Sequence, residues 1–424
     1  MVRDWKLKAL TPVWTGDARG DPDRLIPTGI MGSLRWWYEV LVRGLGGKAC
    51  DPTSDVRCPD HNVREPDKPG HHCVVCELFG CTGWARKFRL MVLEELEENG
   101  RVIQKVIQNR IQAGQTFILR FIPLRPIQDE EWCLLNATLR LIAGYGAIGG
   151  KTVFKPSEEW GIADLGADDL DNSGGQVKVQ RSRRDLPLQP NDVILEIEGT
   201  PVANKSGLEQ LMRGKYHGEE IRIKIRRGNN EEDLNVWAGK RHHQDFGLVQ
   251  YVQGPNGWRC DKTLEDIRAY VTDSHWRQAP HSWRDRKGAE HDFSWASLQN
   301  FWCVKGRYLA RDGVNRSTFN AVVGRKQDIK ERRDRRVIRW SDLLENPNDK
   351  ISSWLAGRQR ESKKVFSFKH PEESRRTFGF VKPGLVDFEE MKRRLQQVWP
   401  DFQDSEFKRG EQILDELFQQ EGGA

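Results

Sequence analysis

The chain has 424 residues, enough for two or three domains with at least one sizeable core. Its 37% hydrophobic residues, taken together with 39 glycines, lie in the ordinary globular range, which excludes disorder throughout. No run approaches the roughly 20 apolar residues of a membrane span, and the start MVRDWKLKAL has no signal-peptide core. A cytoplasmic protein with no membrane partner is expected. The charge excess is small, 68 Lys and Arg against 62 Asp and Glu. Tryptophan departs from the norm, with 16 Trp beside 6 Tyr. It often adjoins arginine, as in Arg35-Trp36-Trp37, Trp84-Ala85-Arg86, Trp276-Arg277, Trp283-Arg284 and Arg339-Trp340. Rings beside guanidinium groups suit stacked bases and phosphates of single-stranded nucleic acid. Core burial is the competing explanation for any one of these tryptophans.

The first predicted element is a strand at 6–14. Met31, Leu34, Tyr38, Leu41 and Leu45 then mark one face of a helix that Gly46-Gly47 closes, leaving Arg35, Trp36, Glu39 and Arg43 off that face. Five of the eight cysteines follow within 50–81. Cys50 and Cys58 form one pair, and Cys73-Val74-Val75-Cys76 is a C-x-x-C knuckle, with the polar stretch 60–72 between them. That loop has almost nothing apolar to bury, so structural Zn²⁺ held by Cys50, Cys58, Cys73 and Cys76 supplies its order. His61, His71 or His72 are alternative ligands. Cys133, Cys260 and Cys303 are isolated and are expected to be small buried apolar residues.

Strands are predicted at 88–94 and 116–124, a helix at 129–143 with acidic residues in its first turn, and a strand at 246–252. The order is β-α-β-β-α-β, a ferredoxin-like unit. Its second helix runs into Gly144-Tyr145-Gly146-Ala147-Ile148-Gly149-Gly150-Lys151-Thr152. The string fails the context of a dinucleotide fingerprint and the spacing of a P-loop. Two readings stand level: a loop whose Gly146, Gly149 and Gly150 amides hold an RNA backbone with Lys151, or a permissive turn. Residues 174–239 are expected to form a self-contained insertion, with strands, a capped helix from Ser206 and an Ile-alternating hairpin. Beyond Gly254, strands at 364–369 and 376–381 and a helix around Phe388, Met391, Leu395 and Val398 suggest a second, decorated α+β unit over 254–424. The run Arg325–Arg339 holds eight basic residues against three acidic ones, suited to phosphates or to a solvated helix face.

Three motifs occur in order: Thr11-Pro12-Val13-Trp14-Thr15-Gly16, then Gly29-Ile30-Met31-Gly32-Ser33-Leu34-Arg35-Trp36-Trp37, then Leu78-Phe79-Gly80-Cys81-Thr82. The chain resembles the RAMP superfamily of CRISPR proteins, most nearly the first RAMP subunits of type III-B (Cmr) effector complexes. The likeness is specific over 1–155 and recovers at Asp245-Phe246-Gly247-Leu248-Val249. It implies an α+β fold of two ferredoxin-like (RRM-like) RAMP units, the first spanning 1–253 with a zinc loop at 48–82. It further implies a non-catalytic subunit that engages guide or target RNA near the guide 3′ end, beside other Cmr/RAMP subunits, in antiviral defence. The RNA contacts implied are Arg35, Trp36, Arg86, Lys87, Arg89 and Lys151. Leu188–Val202 with the helix and strands after it resembles a bacterial protease-associated PDZ domain, whose relatives capture peptide termini by strand addition. Its carboxylate loop would fall near Ser173-Gly174-Gly175, where the usual apolar residues are missing, so docking of an unidentified protein partner is expected. Two other functions stay open. One is metal-independent cleavage of guide RNA using His71 and His72, and the other is an adaptor working through the PDZ-like insert.

Overall fold

The computed structural model describes residues 1–15, 24–98, 101–150, 167–171, 175–182, 187–212, 220–237, 245–285, 288, 290–310, 318–326, 344–357 and 362–419. Lys151, Ser173, Gly174 and the basic residues 330–339 lie outside these. Contact clustering divides the chain into two units: 1–153 with 245–309 and 354–424, and 154–244 with 310–353. Among the described residues no helix is long and apolar enough to cross a membrane.

In the first unit, strand β1 (Arg3–Ala9) leads to helix α1 (Pro27–Gly44), the one-and-a-half-turn helix α2 (Val74–Phe79), the hairpin β2 (Phe88–Glu98) and β3 (Arg101–Val106), strand β4 (Thr116–Pro123) and helix α3 (Asp129–Tyr145). The stretch 146–248 then intervenes before the last strand of this sheet. That stretch carries β5 (Ala167–Asp171), β6 (Val177–Ser182), β7 (Val193–Ile197), β8 (Thr200–Pro201), α4 (Lys205–Met212), β9 (Glu220–Arg227) and β10 (Asn230–Trp237), after which β11 (Val249–Gln253) returns. The first sheet has the order β11-β1-β4-β2-β3 with antiparallel neighbours. Without the edge strand β3, this is the split β-α-β arrangement expected from the sequence. Alternation sets its faces: Trp5, Leu7 and Ala9 turn to the helices and are fully buried. The opposite face carries Asp4, Lys6 and Lys8. It is laced by a bidentate Arg120–Asp4 pair at 2.8 and 2.6 Å and a Lys6–Glu95 pair at 2.5 Å.

The remaining elements are α5 (Leu264–Thr272), β12 (Ser282–Arg284), β13 (Glu290–Asp292), β14 (Phe301–Lys305), α6 (Thr318–Val323), α7 (Lys350–Ala356), β15 (Val365–Phe368), β16 (Arg376–Phe380), α8 (Phe388–Gln396), β17 (Phe407–Arg409) and α9 (Gly410–Gln419). The sheet β15-β16-β14-β17, again antiparallel, repeats the strand order of the first. Counted as β14, helices, β15, β16, α8 and β17, it is a second β-α-β-β-α-β unit.

Helix α1 is buried on two sides. Leu34, Tyr38 and Leu41, the face read from periodicity, are fully buried. Its other side is no solvent face: Trp37 packs edge-on against Phe301 and Phe378, and Trp36 against Phe380. Arg43, at 5% exposure, donates to the Ala296 carbonyl at 3.0 Å. The second β-α-β-β-α-β sheet thus covers residues that one-sided amphipathicity placed at the surface. Arg376 ties the same layers by donating to Ala143 O at 2.8 Å, occupying a carbonyl at the end of α3.

The inserted sheet has the order β10-β9-β7-β6-β5, with β8 on β7. It begins before Gly174, since β5 pairs with β6. Val177, Val179, Ile194, Ile197, Leu208, Met212, Ile221, Ile223 and Ile225 form a core of their own. Cys133 and Cys260, expected to be separate apolar residues, are joined in a disulfide.

Candidate metal centre and the surrounding surface

The polar loop between Leu45 and α2 is organised around four sulfurs. Cys50 and Cys58 come from its near side, Cys73 sits at the start of α2 and Cys76 within its first turn. All four are buried, and their Sγ atoms lie within 4.8 Å of one another. A tetrahedral ion with sulfur ligands at about 2.3 Å has ligand–ligand edges of about 3.8 Å, and the Cys50–Cys76 edge is 3.5 Å. These residues could therefore hold one metal ion. The quartet is the one read from spacing, and Cys81 stands outside it.

Packed this closely, the thiols cannot all ionise independently. Hydrogen bonds from Cys50, Cys58 and Cys76 pull Cys73 well below the ordinary thiol range, while Cys58 and Cys73 drive Cys50 upward. An ion that replaces the shared protons resolves this competition. Four thiolates around a divalent ion carry two excess negative charges, and two guanidinium groups face them. Arg35 Nη2 lies 3.2 Å from Cys76 Sγ and 3.9 Å from Cys50 Sγ, and Arg277 Nη1 lies 3.7 Å from Cys58 Sγ. Burial works against the Arg35 charge, but Cys76 and Glu39 outweigh it and raise its pKa. Arg35 also donates to Glu39 at 2.9 Å and to Gly80 O at 3.0 Å. Arg277 donates to Asp60 at 3.1 Å and to Val56 O at 3.0 Å, tying the loop to a segment about two hundred residues downstream. Such outer partners orient and tune thiolate ligands.

Arg35 was expected to contact RNA; it is instead turned inward and committed to the sulfurs. Lys87 is likewise buried, at 4% exposure, between Glu77 at 2.5 Å and Glu131 at 2.8 Å. A lysine without those two carboxylates would not survive burial there. Trp36 is partly buried against Phe380. The glycine string is explained by close approach. A Cβ on Gly146 would sit 2.4 Å from the Trp37 ring, and one on Gly149, whose φ is +106°, would sit 2.6 Å from Trp14 O. The Gly149 amide donates to Ser33 Oγ at 3.0 Å and the Gly150 amide to Trp14 O at 2.9 Å. Those two donors are engaged within the protein. Arg86 and Arg89 are exposed.

His71 and His72 are buried beside the quartet. Their Nδ1 atoms are 2.8 Å apart, and His72 Nε2 lies 2.7 Å from Glu77 Oε2. Trp84 donates to the same Glu77 oxygen at 2.9 Å. Burial alone would raise the Glu77 carboxyl, but His72 and Lys87 outweigh it and pull it to about 2. Because the folded value is depressed, the stability this group adds is in place above its ordinary value of 4.5 and is lost as pH falls towards 2. The residue that spacing gave no means of finding is Arg277. Its place in a Trp-Arg pair was visible, but its partner Cys58 was not.

Residues 6–154 match the RAMP superfamily, and residues 163–237 match the PDZ domain. No curated protein matches the chain. Among solved structures, the apo form of Cmr1 from Pyrococcus furiosus aligns over 35% of this chain and 45% of its own, at 15% identity and a TM-score of 0.22. The HtrA-type protease AlgW with a decapeptide aligns over 40% of this chain and 62% of its own, at 13% identity and a TM-score of 0.17. An aminopeptidase N family protein from Idiomarina loihiensis aligns over 29% and 19%, at 16% identity and a TM-score of 0.18. This chain thus spans less than half the length of the Cmr1 protein, and each likeness is local.

Proposed function

We propose that this chain, which carries a RAMP-superfamily region and a PDZ domain, is a non-catalytic RNA-binding subunit of a type III CRISPR RNA-guided complex of the III-B kind. The observation that carries this reading is the RAMP match over 6–154, which falls on the strands and helices of the first split β-α-β unit. Guide and target RNA, together with other RAMP subunits, are its partners. The metal is Zn²⁺ in a structural role, since four thiolates fill a tetrahedral shell and leave no open position for substrate. A non-cleaving role is supported by His71 Nδ1 and both ring nitrogens of His72, which are engaged with each other and with Glu77.

RNA contact rests on phosphates rather than stacked bases. The outer face of the first sheet presents Lys6, Lys8, Arg89 and Arg120, while Trp5, Phe88, Phe117 and Phe121 are buried beneath it. Replacing Arg86 and Arg89 with alanine should weaken single-stranded RNA binding about equally across sequences. The slope of log affinity against log salt should fall by roughly 1.4, about 0.7 per lost phosphate contact. Filter binding over a salt series measures it, and an unchanged slope would move the RNA surface elsewhere.

A docking role for the PDZ domain is favoured by its separate core. No described residue of 154–244 belongs to the larger core, which jumps from Ile148 to Leu248. Replacing 163–237 by a Gly/Ser linker should leave zinc content and RNA affinity intact and remove one companion protein from the native complex. Loss of zinc or of RNA binding in a folded deletion would count against separability.

A further inference from the structure

Where the first sheet ends at β11, a cleft of about 810 Å³ opens between α3 and the turn after the strand, within the usual range for small-ligand sites. It lies on the helix side of the sheet. Tyr251 pairs with the inward-facing Leu7, and its hydroxyl donates to Asn136 Oδ1 on α3 at 2.7 Å. That oxygen also accepts from Trp5 Nε1 at 2.9 Å, and Asn136 is 3% exposed, so Tyr251 is held by a buried, doubly engaged partner. Cys133, Asn136 and Arg140 share one face of α3 by their +3, +4 spacing, and the disulfide from Cys133 to Cys260 clamps the far end of the turn. The lining chemistry is one-sided. Among the described lining residues the charged side chains are Arg140 and Arg259, with no carboxylate, lysine or histidine. The Arg140 guanidinium lies 4.7 Å from the Tyr251 ring centroid, and Arg259 is exposed. Trp258 adds a partly buried indole, with Arg3 against it at 4.3 Å. Gln253 Nε2 donates to Asn256 Oδ1 in the exposed turn, which leaves an acceptor on Gln253 and two donors on Asn256.

We propose that this cleft binds a nucleotide, with Arg140 and Arg259 on its phosphate, the Trp258 indole against its base and the Gln253 and Asn256 amides at the base edge. Two guanidinium groups without a carboxylate beside them select an anion, and phosphate suits their forked donors. An organic cation meets only like charge there. An indole and a pair of amides add what a base needs, a flat face and hydrogen bonds along one edge, and a phosphorylated side chain uses neither. The nucleotide has two possible sources, the free compound and a unit splayed out of single-stranded RNA. The proposal does not rest on the RNA surface described above, which occupies the opposite face of the sheet.

The test titrates the full zinc-loaded chain, with its Cys133–Cys260 disulfide intact, by calorimetry. The probes are adenosine 5′-monophosphate, adenosine, inorganic phosphate and O-phosphoserine amide. The monophosphate should bind at least about tenfold more tightly than each of the other three. R140Q/R259Q should weaken it about tenfold, as expected for losing charges a few ångströms from a phosphate near a surface, and should leave adenosine unaffected. W258L should weaken the monophosphate and adenosine alike, by about tenfold. Zinc content should be unchanged in both variants, and if W258L fails to fold the arginine variant decides alone. A single-stranded RNA dodecamer that displaces the monophosphate would assign the site to a strand, and undiminished monophosphate affinity on the RNA-bound chain would assign it to the free compound. Inorganic phosphate binding as tightly as the monophosphate would reduce the cleft to an anion site, and phosphoserine amide doing so would assign it to a protein partner. Either result, or monophosphate binding unaltered in the variants, would overturn the proposal. Monophosphate binding beside an RNA salt slope that Arg86 and Arg89 do not move would reject the RNA surface and keep this site.

Discussion

Serine at Cys73 and Cys76 together should abolish stoichiometric metal binding and disorder the loop from 48 to 82, while the two β-α-β-β-α-β sheets keep their strands. The effect is expected to be the largest of any two-residue change. Structural zinc with such ligands contributes on the order of 10 kcal/mol or more at neutral pH, and all of it is folding energy for the segment it organises. The loop has no other comparable source. Between Asp51 and Gly70 its side chains are mostly polar and exposed, and its main tethers outside the sulfurs are Arg277 with Asp60 and the Gly70 amide with His275 O. Serine also leaves two guanidinium groups facing a site that has lost its negative charge, which adds a burial cost at Arg35. Elemental analysis should give one zinc per wild-type chain and none in the variant, and limited proteolysis should cut the variant within 48–82. Full zinc in the variant would reject the ligand set. Acid should mimic the substitution, because protons compete with the ion for thiolates.

How much of this was visible beforehand depends on how far apart the interacting residues lie. The quartet was legible because its ligands sit within 27 residues and C-x-x-C is a local pattern. The strands β1, β2 and β4 were legible through alternation, and α3 through its apolar spacing and acidic first turn. Helix α1 was half legible. Periodicity found Leu34, Tyr38 and Leu41 but assigned Arg35, Trp36, Glu39 and Arg43 to the outside, because their partners include Cys76, Ala296 and Phe380, reached only after folding. The same blindness affected Lys87, whose second partner Glu131 is 44 residues away. The glycines from 146 to 150 carried a local pattern that suggested phosphate. Their cause is the approach of Trp37 and Trp14, a tertiary fact that no spacing rule encodes. Strand β17 went unread because three residues are too few for alternation to rise above composition.

Trp37→Ala should destabilise the chain by about 3–5 kcal/mol, the range for deleting a large aromatic from a packed core. Trp37 is 3% exposed and sits where the two sheets share α1. Its ring meets Phe301 and Phe378 from the second sheet, and its indole N–H donates at 2.8 Å to Ala147 O, in the turn that follows α3 of the first unit's β-α-β-β-α-β set. It is also the ring against which Gly146 must stay without a side chain. Truncation therefore removes contacts with both halves, opens a cavity and leaves a carbonyl unmet. Urea unfolding of the wild type should show a single transition for the two sheets, because α1 couples them. In the variant the midpoint should fall, and the transition should broaden or split as the halves lose their common wedge. Trp37→Phe separates the contributions. It keeps most of the ring packing and loses only the donor, so its cost should be nearer 1–2 kcal/mol, with one transition retained. If Trp37→Ala costs less than about 1 kcal/mol, α1 does not hold the two sheets together.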